Sequence, residues 1–107
     1  MIIVFPGLIA HSFCALTIYP FIILKHPHSK YDVVLLNHER IHIRQQKELL
    51  WILFFVWYLF EYFFKLLYYR NAYHAYKNIS FEREAYANEH NLDYLKKRKF
   101  LAFLTYL

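Results

Sequence analysis

His38-Glu39-Arg40-Ile41-His42 reads H-E-x-x-H, two imidazoles and a carboxylate at a spacing that suits one divalent cation. On an α-helix, residues four apart lie on one face, so both rings can reach the same ion while Glu39 stands beside it, over water. The chemistry predicted is zinc-assisted hydrolysis, with Zn2+ as Lewis acid and Glu39 as general base. In a chain with 7 histidines among 107 residues, chance supplies about 0.02 such matches, before any demand for helical context. The competing expectation is a pair of histidines that only hydrogen-bond within a polar helix.

The motif needs a helix to work. Residues 33–48 contain no Pro or Gly, follow Asp32 as a candidate N-cap, and run on through Arg40, Gln45, Gln46, Lys47 and Glu48. Ahead of them, Leu16-Thr17-Ile18-Tyr19 and Phe21-Ile22-Ile23-Leu24 predict a strand near Leu16 to Lys25, after an irregular or partly helical start. Residues 1–24 carry no charge, a window long enough to cross a bilayer. Pro6, Gly7, Pro20, His11 and Ser12 argue against that span, and the absence of basic residues and of a small-residue cleavage site does not fit a signal peptide. His26-Pro27-His28-Ser29-Lys30 reads as a solvated loop, its two histidines not spaced as a helical metal pair.

After Glu48 comes an apolar block, Leu49 to Phe60, and Glu61 and Lys65 are the only charges before Arg70. Four apart in the favourable order, they are predicted to pair on one helix face. The stretch reads as a transmembrane or in-plane membrane helix in preference to an oily core face, so membrane association is expected. Asn71 to Ser80 is a break, and Ser80 or Asn78 caps a further helix from Phe81 to about Lys97.

Size and composition bound the rest. Residues 1–107 make one domain, and 59% hydrophobic with 22% aromatic residues excludes disorder and points toward a membrane or interface protein. Cys14 is the single cysteine, so no disulfide forms within these residues. The net charge of +5 raises the question of nucleic acid, and Lys96-Lys97-Arg98-Lys99 is the one basic run. No recognition motif accompanies it, so nucleic acid is not expected as a partner. Beside Phe100-Leu101-Ala102-Phe103-Leu104 the run suits a solvated or lipid-facing collar.

Catalytic zinc takes three protein ligands and keeps a fourth position open. Glu48, if the helix continues, points about 240° around the axis from His42 and is expected to be solvated. Residues 81–89 are acidic, start a helix and put Glu82, Ala85, Tyr86 and Glu89 on one stripe. Glu82 is the candidate third ligand, with Glu84 the alternative for a rotated helix.

With these residues in view, the chain resembles the gluzincin metallopeptidases, in which HExxH is joined by a glutamate from a separate helix in the form E-x-x-A. Compact minigluzincins and the membrane peptidases of the CAAX-processing and β-lactam-sensor types carry this signature, here Glu82-Arg83-Glu84-Ala85. The resemblance implies a mainly α, zincin-like minimal domain with a short β element and an active-site helix packed against a second ligand-bearing helix. It implies Zn2+ held by His38, His42 and Glu82, Glu39 as general base, and a peptide or protein substrate along the strand near Leu16 to Lys25. The chain departs from the family at Tyr86, where an Asp orients a ligand histidine; Asn88 or Glu89 is the expected substitute. His74, Tyr73, Arg83 and Tyr86 are candidate oxyanion donors. Two rival expectations are a small membrane-embedded structural protein with an accidental motif, and a zinc-binding but silent domain whose tail, Phe100 to Leu107, fills the cleft.

Overall fold

The computed structural model describes residues 2–5 and 14–107, so Pro6, Gly7, His11 and Ser12 lie outside the described residues. The architecture is mainly helical with a small sheet. Strands β1 (Ile2–Val4), β2 (Ala15–Ile18) and β3 (Phe21–Leu24) take the order β1-β3-β2, with β1 parallel and β2 antiparallel to β3. The single strand expected near Leu16 to Lys25 is therefore a hairpin. Pro20 cannot donate to a ladder, and the chain reverses at Tyr19-Pro20 so that Ile18 pairs with Phe21. The loop expected at residues 26–30 is a short 3-10 helix, Pro27–Tyr31.

Helix α1 (Val33–Glu48) begins as predicted, with the Asp32 carboxylate accepting from Leu35 N at 3.0 Å. It is the central element, and its apolar side packs Leu36 and Ile43 against Ile22 and Leu24 of the sheet. Its other buried residues are largely polar, Asn37, His38, Glu39, His42, Gln45 and Gln46. Burying such groups is costly unless each is bonded, and among the described residues every buried side-chain nitrogen and oxygen has a partner. Gln46 ties α1 to the outer edge of β2, donating to Thr17 O at 2.9 Å and accepting from Tyr19 N at 2.6 Å.

The helix stops abruptly at Leu49. Leu50 adopts a positive φ of 54°, and Trp51 N reaches back to Gln46 O while Leu50 N reaches Lys47 O, a cap that usually takes glycine after the last turn. This reversal starts α2 (Ile52–Tyr69), which is followed by α3 (Ala72–Lys77), α4 (Ser80–Asn88), α5 (Tyr94–Lys97) and a 3-10 helix over Ala102–Tyr106. Asn71, not Asn78 or Ser80, is the capping side chain in the expected break, and it starts α3. At α4 the N-cap is Ile79, which has no side-chain acceptor, so Glu61 of α2 takes the hydrogen bonds of Ser80 N and Ser80 Oγ. The predicted Glu61–Lys65 pair is absent among the described residues for that reason.

The helix expected to reach Lys97 breaks after Asn88. Asn37 Nδ2 donates to the carbonyls of Asn88, Glu89 and Asn91, satisfying from α1 the acceptors that a further turn would use. Phe54, Phe81, Ile79, Leu49 and Phe103 form the main core, so the tail belongs to the core and does not fill a cleft. Its contacts include Trp57, Phe81, Arg83, Asn88 and, through Leu101 N, Glu48, and those on α4 lie about 100° or more around the axis from Glu82.

Two charged residues differ from expectation. Arg98 is not part of an exposed collar: its guanidinium is fully buried, donating to Glu84 through Nε and Nη2 and to Glu48 Oε2 through Nη1 at 2.6 Å. Glu48, expected in solvent, is the second acceptor of that cation and also takes Leu101 N. Burial opposes the charge on Arg98, but the hydrogen bonds it donates to Glu84 and Glu48 outweigh it and raise its pKa further. Lys96, Lys97 and Lys99 are exposed, as the sequence suggests.

Candidate metal centre

The α1–α4 contact brings His38, His42 and Glu82 together across 40 and more residues of sequence. His42 Nε2 lies 3.1 Å from Glu82 Oε1, His38 Nε2 lies 3.3 Å from the same oxygen, and the two Nε2 atoms are 3.2 Å apart. Tetrahedral zinc with ligand bonds of about 2.0–2.1 Å separates neighbouring ligand atoms by about 3.3 Å. The triangle therefore fits a small tetrahedral cation on all three edges.

The outer ring nitrogens explain what occupies the triangle's edges electrostatically. Gln45 Nε2 donates to Phe81 O at 3.1 Å and Glu84 Oε1 at 2.9 Å, so its carbonyl oxygen is the atom 2.7 Å from His42 Nδ1. That nitrogen must carry the proton. His38 Nδ1 faces Glu89 Oε1 at 3.4 Å, a carboxylate that can only accept, and carries a proton for the same reason. Neutral rings then direct both Nε2 lone pairs, with a carboxylate oxygen, at one point. Three lone pairs this close repel unless a cation or proton lies between them.

The ionisation of the group reports the same demand. Burial disfavours the His42 imidazolium, yet the Glu82 carboxylate outweighs it and the pKa is pushed up to about 9. Burial also works against ionised Glu82, but the charge of His42 and hydrogen bonds from both imidazoles hold its carboxyl well below the usual range. A metal ion bound here would displace the His42 proton.

Glu39 stands apart from the triangle. Its donor atoms lie within 4.8 Å of those of His38 and His42, so these three residues form a group that could hold a metal ion. Glu82 makes the tighter set, because Glu39 Oε2 is 3.7 Å from His38 Nε2 and Oε1 accepts from the Thr17 hydroxyl at 2.8 Å. The β2 hydroxyl thus holds the carboxylate to one side of the site.

The α4 stripe behaves as its spacing predicts. Glu82 and Glu89 face the histidines, and Ala85, with no exposed surface, sits between them where the helices approach. Glu84, the alternative ligand, points to Arg98, Gln45 and Tyr94 instead. Of the two substitutes expected for the Asp replaced by Tyr86, Glu89 takes the contact with His38, while Asn88 donates to Glu84 O and to the Tyr106 hydroxyl. Tyr86 sets its ring edge against His38 at 4.5 Å and shares a hydrogen bond with Tyr76.

Sequence reading missed four members of this surround. Thr17, Gln45 and Tyr58, whose hydroxyl donates to Glu82 Oε2 at 2.8 Å, each orient one functional side chain. Tyr76 is the fourth: burial first and the Glu82 charge second raise its pKa, so this phenol keeps its proton beside the site. Of the candidate donors, Arg83 binds the Tyr106 and Leu107 carbonyls and Tyr73 and His74 are exposed. Periodicity could have found Gln45, three residues past His42 on the same side; nothing in the sequence marked the others.

No protein family, curated protein or solved structure matches this chain. The reading of the centre rests on its chemistry.

Proposed function

We propose that this chain is a zinc-dependent peptide hydrolase of minimal zincin type, with Zn2+ held by His38, His42 and Glu82 and Glu39 as general base. The observation that carries the proposal is the triangle of three lone pairs, 3.1–3.3 Å on each edge, with a second carboxylate, Glu39, held beside it. Bound zinc would supply Lewis-acid polarisation of a carbonyl and bring the pKa of water toward about 7.

The protein's own residues do the rest. Gln45 and Glu89 fix the ring tautomers, and Tyr58 holds Glu82 so that one oxygen stays directed at the imidazoles. Glu39 takes a proton from the attacking water and delivers it to the leaving amine, while Thr17 keeps its carboxylate in position. Since the Ile18–Phe21 pair closes a two-residue turn, Ala15 and Thr17 direct their backbone groups away from β3. Gln46 already takes Thr17 O on that outer edge, so an extended peptide would lie along its Ala15 end.

Purified protein is expected to contain one zinc per chain by mass spectrometry under native conditions and to cleave unstructured peptides. The His38→Ala/Glu82→Gln double variant should bind none. A folded wild-type chain that takes up no zinc from a buffered excess overturns the proposal. Glu89→Ala, which removes the partner of His38 Nδ1 but no ligand, is expected to lower zinc affinity about 10- to 100-fold in chelator competition.

A further inference from the structure

Helix α2 is turned inside out for a water-soluble protein. At 100° per residue, Leu53, Val56, Phe60, Phe63, Phe64 and Leu67 fall within about 100° of arc, and their exposure runs from 45% at Val56 to 77% at Leu67. No side chain in that arc carries a nitrogen or oxygen. Both charges of the helix, Glu61 and Lys65, lie outside the arc, about 110° and about 150° from its centre. The patch amounts to roughly 800 Å², larger than a monomer usually leaves in water.

We propose that α2 docks in the plane of an anionic lipid bilayer, with this arc sunk among the acyl chains and the domain carried on its other side. A second copy of the chain fits less well, because a protein interface of this size carries about one hydrogen bond per 100–200 Å² and the arc can make none. Lipid asks for none. Charge favours anionic headgroups: Arg70 is exposed at the C-terminal end of the helix, and the helix's one carboxylate, Glu61, is already bonded to Ser80. Length alone, 18 residues with mean hydropathy 1.4, would also suit a span. Packing decides against it. Phe54, Trp57 and Tyr58 lie on Phe81, so a spanning α2 would drag α1 and α4, with the exposed Arg40, Lys47 and Arg83, into hydrocarbon. Trp51 at one end and Tyr68 and Tyr69 at the other provide rings suited to the headgroup boundary.

The Tyr58 hydroxyl reaches Glu82 from this same helix, which sets the metal centre one helix layer above the lipid. A peptide segment presented at the membrane surface is the substrate class that follows, and this part rests on the proposed hydrolase reading; the docking does not.

The test uses the full chain with vesicles of phosphatidylcholine, alone or with about 30% phosphatidylglycerol, in the presence and absence of zinc. Co-sedimentation with the anionic vesicles is expected in both, and Phe60→Glu/Phe64→Glu should lower it at least 10-fold with an unchanged melting curve. In a Cys14→Ser background, nitroxide labels on Leu53→Cys, Phe60→Cys and Leu67→Cys should report one common depth below the headgroups. A depth maximal at the middle position would mean a span, and failure to bind vesicles, or a dimer that buries the labels, would overturn the proposal. Vesicle binding by a chain that takes up no zinc even when zinc is supplied would leave docking intact and remove only the hydrolase.

Discussion

Glu39→Gln is expected to keep one zinc per chain and to slow peptide cleavage by about 10²–10⁴-fold. The amide is nearly the same size as the carboxylate and can still accept from the Thr17 hydroxyl, which bonds Glu39 Oε1 at 2.8 Å. It cannot take a proton. Metal should stay, because the tight triangle belongs to His38, His42 and Glu82, with Glu39 3.7 Å from the nearer imidazole nitrogen. Metal content and single-turnover cleavage, measured on the same preparation, check both halves. Loss of zinc in this variant would instead make Glu39 the third ligand, the alternative that simple proximity to the two histidines allows.

Arg98→Leu is expected to cost about 3–5 kcal/mol, because it strands the fully buried Glu84 carboxylate without its cation and frees Glu48. For a domain whose whole stability is about 5–15 kcal/mol, that is a drop in Tm of roughly 15 °C or more. Lys97→Leu, one residue away but exposed, should shift stability by no more than about 0.5 kcal/mol. Equal melting of the two variants would return Arg98 to the solvated collar that the sequence suggests. The loss should also reach the metal centre, since Glu84 accepts from Gln45, and Gln45 orients His42. Weaker zinc binding by Arg98→Leu, measured below its lowered Tm, is therefore part of the expected result.

Those two outcomes separate what is local from what is not. The motif helix, its Asp32 cap and the stripe of Glu82, Ala85, Tyr86 and Glu89 were legible because they depend on neighbours three and four residues apart, and helix geometry fixes these without reference to the rest of the chain. The same local rules misjudged Glu61, Glu48 and Arg98, whose partners lie 19, 50 and 14 residues away or more. They also read one strand where Pro20 makes a hairpin, and one helix where Asn37 ends α4.

By itself, the sequence determined which side chains could share a cation, since the spacing of His38 and His42 and the acidic stripe near residue 82 are properties of single helices. Tertiary structure decided which carboxylate meets the histidines, which holds their outer nitrogens and which pairs with a buried arginine. Glu82, Glu84 and Glu89 are chemically alike. Only the rotation of α4 against α1, set by the burial of Ala85 at the contact, by the packing of Phe81 on α2 and Phe103, and by Asn37 bonding the end of α4, assigns them different work.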